Sequence, residues 1–138
     1  CAMRLSVLLF AGLAALALFS APARAELRLL MVEQQGCAYC ALWNRQIAPA
    51  YPNTSEGRFA PLLRADLRDP PPDGVTYARK VVFTPTLLLI ENGQELARME
   101  GYVGEDFFWP MLARMLEQHT DYDPGAVEDG PAIPLEGG

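Results

Sequence analysis

Hydrophobic and polar positions alternate between two periods along this chain. Glu26 to Val32 is apolar at nearly every position, as in a strand covered on both faces. The polar Glu33-Gln34-Gln35-Gly36 follows, and Gly36 lets the backbone turn. From Ala41 to Ala50 the period becomes helical, with Cys40, Trp43, Ile47 and Ala50 on one apolar stripe and Trp43 a core residue. Pro49 and Pro52-Asn53 end that helix, and Asn53 to Gly57 reads as a loop. A second strand falls within Ala60 to Leu67. The proline-rich connector Arg68 to Gly74 cannot be regular structure, and a short helix is expected over Val75 to Val82. The apolar run from Val82 to Ile90 contains Pro85, which fits a strand only if the proline begins it. Asn92-Gly93 then marks a hairpin into a return strand, Glu95 to Met99. A last helix places Phe108, Leu112, Met115 and Leu116 on one face, with Asp106 as its cap and a distortion at Pro110. The order βαβαββα predicts an α/β domain with a central mixed β-sheet and helices on both faces.

The two ends depart from this pattern. Met3-Arg4, the apolar run Leu5 to Phe19 and the A-x-A site at Ala23-Arg24-Ala25 read as a signal peptide over residues 1–25. That run is short for a transmembrane helix. Cys1 precedes it and is read as an upstream remnant with no role. Residues 120–138 are acidic, rich in Pro and Gly, and lack periodicity, so they are expected to form a disordered tail. Residues 26–119 remain for the domain.

Charge narrows the partners. The chain carries a net charge of −6, and removing the leader would take away Arg4 and Arg24 but no acid. Such a protein is not expected to bind nucleic acid or an anionic membrane through bulk charge. The leader directs it to an oxidising compartment, where disulfides persist.

Beyond the leader there are two cysteines, in Cys37-Ala38-Tyr39-Cys40, at the joint between a strand and a helix. The first thiol meets the positive end of the helix dipole, which favours thiolate, the nucleophile of disulfide exchange. A bridge over so short a loop would be a weak staple, so a redox pair is the better reading. Two other classes stay open on these residues, metal binding and a redox-inert binding domain, and haem attachment is excluded. Two thiolates can hold copper(I) or half a zinc site, but the other usual ligand, His119, is far along the chain. Haem attachment needs a histidine where Ala41 stands. A redox-inert binding domain leaves the cysteines unused.

A C-x-x-C between strand and helix, Thr84-Pro85-Thr86 before a hairpin and a closing helix together resemble the thioredoxin superfamily. The run Glu33 to Cys40 looks like the periplasmic SoxS-type thioredoxin-like proteins of bacterial sulfur-oxidation (Sox) systems. The resemblance implies a thioredoxin-like fold, a cis peptide at Pro85 and a thiol-disulfide oxidoreductase. It implies Cys37 as attacking thiolate and Cys40 as resolving thiol, with Tyr39, Thr84 and Pro85 shaping the substrate groove and Tyr39 tuning the site by packing. Gly101-Tyr102 is a further candidate for the groove or a plain turn. No cofactor beyond the redox-active disulfide is implied, and no metal. The implied partners are a protein disulfide, such as that of the Sox thiosulfate-carrier protein, and a membrane thiol transporter of the DsbD or CcdA kind as electron donor. A general periplasmic isomerase or oxidase, or a reductase for cytochrome c maturation, is the rival within the class. Thioredoxins also carry a buried Asp where this chain has Met31. Glu33 is the nearest acid and the candidate proton acceptor for Cys40.

Overall fold

The computed structural model describes residues 26–125. The expected leader and most of the expected tail lie outside them. Four strands form one sheet in the order β2-β1-β3-β4. They are β1 (Leu27–Glu33), β2 (Leu62–Asp66), β3 (Thr86–Glu91) and β4 (Gln94–Glu100). β1 pairs in parallel with β2 and antiparallel with β3, and β3 pairs antiparallel with β4. β1 and β3 are interior strands, and their apolar runs are buried on both faces: Leu29, Leu30, Met31, Leu87, Leu88 and Leu89 have no exposed surface. At the hairpin both turn residues have positive φ, 49° at Asn92 and 81° at Gly93. That is the geometry an Asn-Gly hairpin favours.

Three helices pack on one face of the sheet. They are α1 (Ala38–Gln46), α2 (Ser55–Phe59) and α3 (Glu105–His119). Trp43 of α1 and Ile47 at its C-cap meet Phe108, Leu112 and Leu116 of α3 over Leu29, Met31, Leu87 and Leu89. α1 stops earlier than expected, at Gln46: Ile47 keeps right-handed helical dihedrals as its C-cap, and Pro49 has no N–H to carry the ladder on. Ala50 is exposed, and Tyr51 is buried instead. α2 lies across what the sequence suggested was a loop. It forms because Thr54 Oγ1 accepts the Gly57 N–H at 2.9 Å, a side-chain cap. Gly104, not Asp106, caps α3; Asp106 sits in the first turn, where its charge suits the helix dipole. α3 runs unbroken through Pro110. Pro110 and Asp106 are both exposed, so the carbonyl that the proline leaves without a helical partner meets water.

The other face corrects the expected architecture. Leu30, Val32, Leu88 and Ile90 are covered there by Leu67, Val75, Tyr77 and Val81. No helix forms over Val75 to Val82; the segment is irregular, with one bridge from Thr76 to Gln94. Its polar backbone groups find partners on β4 rather than in a helix. Glu95 Oε2 accepts the Ala78 N–H at 2.6 Å, and Arg98 Nη2 donates to the Arg79 carbonyl at 2.8 Å. The mixed sheet with helices therefore stands, but among the described residues helices cover one face only. At the C-terminal end Tyr122 is buried, edge-on to Phe59 at 5.1 Å, with its hydroxyl 2.9 Å from Ser55 Oγ. The folded unit thus continues past residue 119. Among the described residues no helix is long and apolar enough to cross a membrane.

Candidate functional site

Strand register brings three loops to one end of the sheet. Val32 at the end of β1 pairs with Thr86 at the start of β3, and Thr86 pairs with Glu100 at the end of β4. The turn into Cys37, the Thr84–Pro85 loop and the Gly101–Gly104 loop therefore lie together. Gly101 N–H donates to the Pro85 carbonyl at 2.8 Å, which ties the last two.

Cys37 and Cys40 form a disulfide with Cα atoms 5.2 Å apart, within the usual range for a bridge. Gly36, at φ 82°, turns the chain so that Cys37 becomes the N-cap of α1. Cys37 Sγ accepts the backbone N–H of Cys40 at 3.1 Å. Cys37 is half-buried, while Cys40 is 3% exposed and faces the core. One sulfur is thus open to a partner and held by a helix terminus, and the other is enclosed.

The Thr84–Pro85 peptide is cis. Thr86, fully buried, donates its hydroxyl to the Phe83 carbonyl at 2.7 Å and fixes the bend before β3. Thr84 is half-buried, and its Oγ1 accepts from Gln34 Nε2 at 2.9 Å. Tyr39 is 62% exposed, so its side chain stands in solvent instead of packing onto the site as expected. Tyr102 is a strut and not a groove wall. It is buried against Phe108, and its hydroxyl donates to Gln46 Oε1 at 2.7 Å. Burial pushes its phenol up, helped by the nearby charges of Glu105 and Asp106.

Glu33 lies at the end of β1 with its carboxylate held by Arg64 and Asn44. Arg64 is a hub. It also donates to Asn44 Oδ1 at 2.9 Å, lies 3.8 Å from Met31 Sδ, and covers the Trp43 ring at 5.9 Å. Met31 is fully buried in the same core as Cys40, so a thioether lies where thioredoxins carry an acid. Trp43 is a core residue as expected, edge-on to Phe108 at 5.8 Å. Gln34 and Arg64 escaped the sequence reading, because their partners, Thr84 and Glu33, lie far away in the chain and meet only through strand register. Among the described residues no group of three or more His, Cys, Asp or Glu side chains could hold a metal ion. A cleft of about 440 Å³ on the opposite face of the sheet is lined by Val32, Leu67, Val75 and Val81 and contains neither cysteine.

A family model for a thioredoxin-like domain matches residues 15–116. The chain belongs to the thioredoxin-like family. It is 60% identical to a solved structure, the periplasmic thioredoxin SoxS from Paracoccus pantotrophus in its reduced form, with a TM-score of 0.66. That match covers 67% of this chain and 98% of that one. A thioredoxin-2 of the malaria parasite secretion machinery is 20% identical over 66% of this chain and 84% of its own, with a TM-score of 0.45. No curated protein matches the chain. With its redox-active Cys37–Cys40 disulfide, this protein is a thiol-disulfide oxidoreductase acting on protein disulfides.

Proposed function

We propose that this protein is a periplasmic reductant of protein disulfides that serves a sulfur-oxidation system. The observation that carries the reading is the unequal pair: an accessible Cys37 sulfur at a helix N-cap beside an enclosed Cys40. The 60% identity to a periplasmic SoxS over nearly all of that protein supports the compartment and the pathway.

In the reduced protein, Cys37 thiolate attacks one sulfur of a substrate disulfide. A mixed disulfide forms, the substrate bond breaks, and the departing thiolate takes a proton. Cys40 then loses its proton and attacks Cys37 sulfur, which releases the second substrate thiol and leaves the Cys37–Cys40 bridge. The substrate gains two electrons and two protons. A membrane dithiol transporter of the DsbD or CcdA kind restores the pair, and no cofactor beyond the disulfide takes part. The backbone at Thr84 and Pro85 docks the substrate chain. Tyr39 in the first turn of α1 and Val82, Phe83 and Val103 on the neighbouring loops are exposed apolar side chains at this end, and they suit a protein substrate rather than a small polar one.

Equilibration of the Cys37–Cys40 couple with thiol buffers tests the direction of electron flow. A potential toward about −270 mV is expected, and one toward about −120 mV would make the protein an oxidant and overturn the reading. A C40S variant is expected to trap the disulfide of the Sox thiosulfate-carrier protein as a mixed disulfide through Cys37. No trapping there would remove that partner.

A further inference from the structure

Gln34 stands in the turn between β1 and Cys37 and holds both halves of the site. Its backbone carbonyl accepts the Cys37 N–H at 3.3 Å. Its side-chain amide donates to Thr84 Oγ1 at 2.9 Å, across 50 residues of sequence. Among the described residues this is the one side-chain hydrogen bond that joins the cysteine turn to the Thr84–Pro85 loop. Both residues are half-buried, so water competes only in part for the bond.

We propose that Gln34 is a positioning residue that sets the spacing between the attacking sulfur and the backbone on which a protein substrate docks. The inference rests on the docking role given above to Thr84. A substrate chain held at Thr84 must deliver its disulfide to Cys37, and the two lie on loops with separate covalent anchors. The amide of Gln34 removes that freedom by fixing the Thr84 side chain to the turn that carries Cys37. With its oxygen accepting from Gln34, the Thr84 hydroxyl still has its own proton to donate. The sulfur itself does not depend on this amide, because Cys37 is held by the N–H of Cys40. Gln34 therefore governs docking more than the reactivity of the thiolate.

The test uses the folded full-length protein, insulin as the protein disulfide and dithiothreitol as electron donor. Wild type, Q34A, T84V and the double variant are compared after circular dichroism has checked their fold. Loss of the single hydrogen bond is expected to raise KM for insulin about fivefold in Q34A, with the fall in kcat/KM coming more from KM than from kcat. T84V is expected to do the same, and the double variant to be no worse than either single one, since one bond is lost in all three. An unchanged KM in Q34A, or two effects that multiply in the double variant, overturns the proposal. Should Q34A fail to fold, T84V alone must show the fivefold rise, and its absence is equally decisive. If the wild type leaves insulin intact, the reductase reading itself fails and this inference falls with it.

Discussion

The backbone N–H of Cys40 donates to Cys37 Sγ at 3.1 Å, so the second cysteine of the pair supports the first through its main chain. The contact depends on helix geometry alone: an N-cap side chain meets the N–H three residues on. Any residue but proline at position 40 keeps this donor. The side chains divide the remaining work, since Cys37 is half-buried and Cys40 is 3% exposed. In the reduced protein, iodoacetamide at pH 7 is expected to modify Cys37 at least about tenfold faster than Cys40. Mass spectrometry of the labelled peptide reads this directly. C40S should keep the fast reaction and C37S should lose it. Equal labelling of the two thiols would show that neither is preferred as the nucleophile.

Glu95 and Arg98 on β4 form an ion pair with side chains 3% and 5% exposed, and together they hold the backbone at Ala78, Arg79 and Lys80. Burial alone would push the Glu95 carboxyl up. The hydrogen bonds from Arg98 and the Ala78 N–H outweigh it and hold Glu95 below the usual carboxylate range. Its value in the folded protein thus lies below that in the unfolded chain. The stability it contributes is complete above the ordinary carboxylate range and is lost as pH falls through the folded value. Asp66 is likewise held down, to about 2, by Arg68, but that pair is exposed and adds little. R98M strands the Glu95 carboxylate in the interior and is expected to cost about 3 kcal/mol at pH 7. The cost should shrink as the medium is acidified and Glu95 takes up a proton. Thermal melts of both proteins between pH 7 and pH 3 check this, and a cost independent of pH would exclude the ion pair as its source.

Gly93 is required twice over. Its φ of 81° disfavours any side chain, and a Cβ there would also run into the Gly74 carbonyl. The left-handed conformation alone costs a non-glycine residue about 1–2 kcal/mol. The contact with Gly74 involves backbone that cannot swing away. G93A is therefore expected to lower the unfolding free energy by more than about 2 kcal/mol in a urea titration, while G36A, with open space around its Cβ, loses only the conformational part. Equal losses in the two variants would mean that the Gly74 contact is soft.

The contrast at Gly93 shows which parts of the fold could be read in advance. Asn92-Gly93 announces its turn locally, and so do Cys37 at the strand–helix joint and Pro85 at the start of β3, because each acts through its own backbone. The strands and the two long helices were legible for the same reason, through the spacing of residues such as Phe108 and Leu112. The helix expected over Val75 to Val82 does not form because distant partners hold the segment in another conformation. Glu95 and Arg98 satisfy that segment's backbone from another strand, and no local pattern reports this. The short helix at Ser55 had a local signal, the Thr54 cap, but five residues are too few for a periodicity. In the site, the two sulfurs and the Thr84–Pro85 loop were legible as a motif. The long-range contacts of Gln34 with Thr84 and of Arg64 with Glu33 depend on the register of β1 with β3 and β2, which the sequence does not display.

That hidden register also bears on Glu33. Sequence proximity suggested it as the acceptor for the Cys40 proton. Its carboxylate is instead held by Arg64 and Asn44, and Arg64 lies against Met31 and over Trp43. Both of its oxygens are thus already engaged, Oε1 by Asn44 and Oε2 by Arg64. E33Q is therefore expected to leave insulin reduction at pH 7 within about twofold of wild type. Its stability should fall by less than about 1 kcal/mol, as for a pair with solvent access. Stopped-flow measurement of the decay of the mixed disulfide separates the roles. An unchanged decay assigns the Cys40 proton to solvent or to the departing thiolate. A decay slowed tenfold or more would return the task to Glu33, with the Arg64 bridge opening as the mixed disulfide forms.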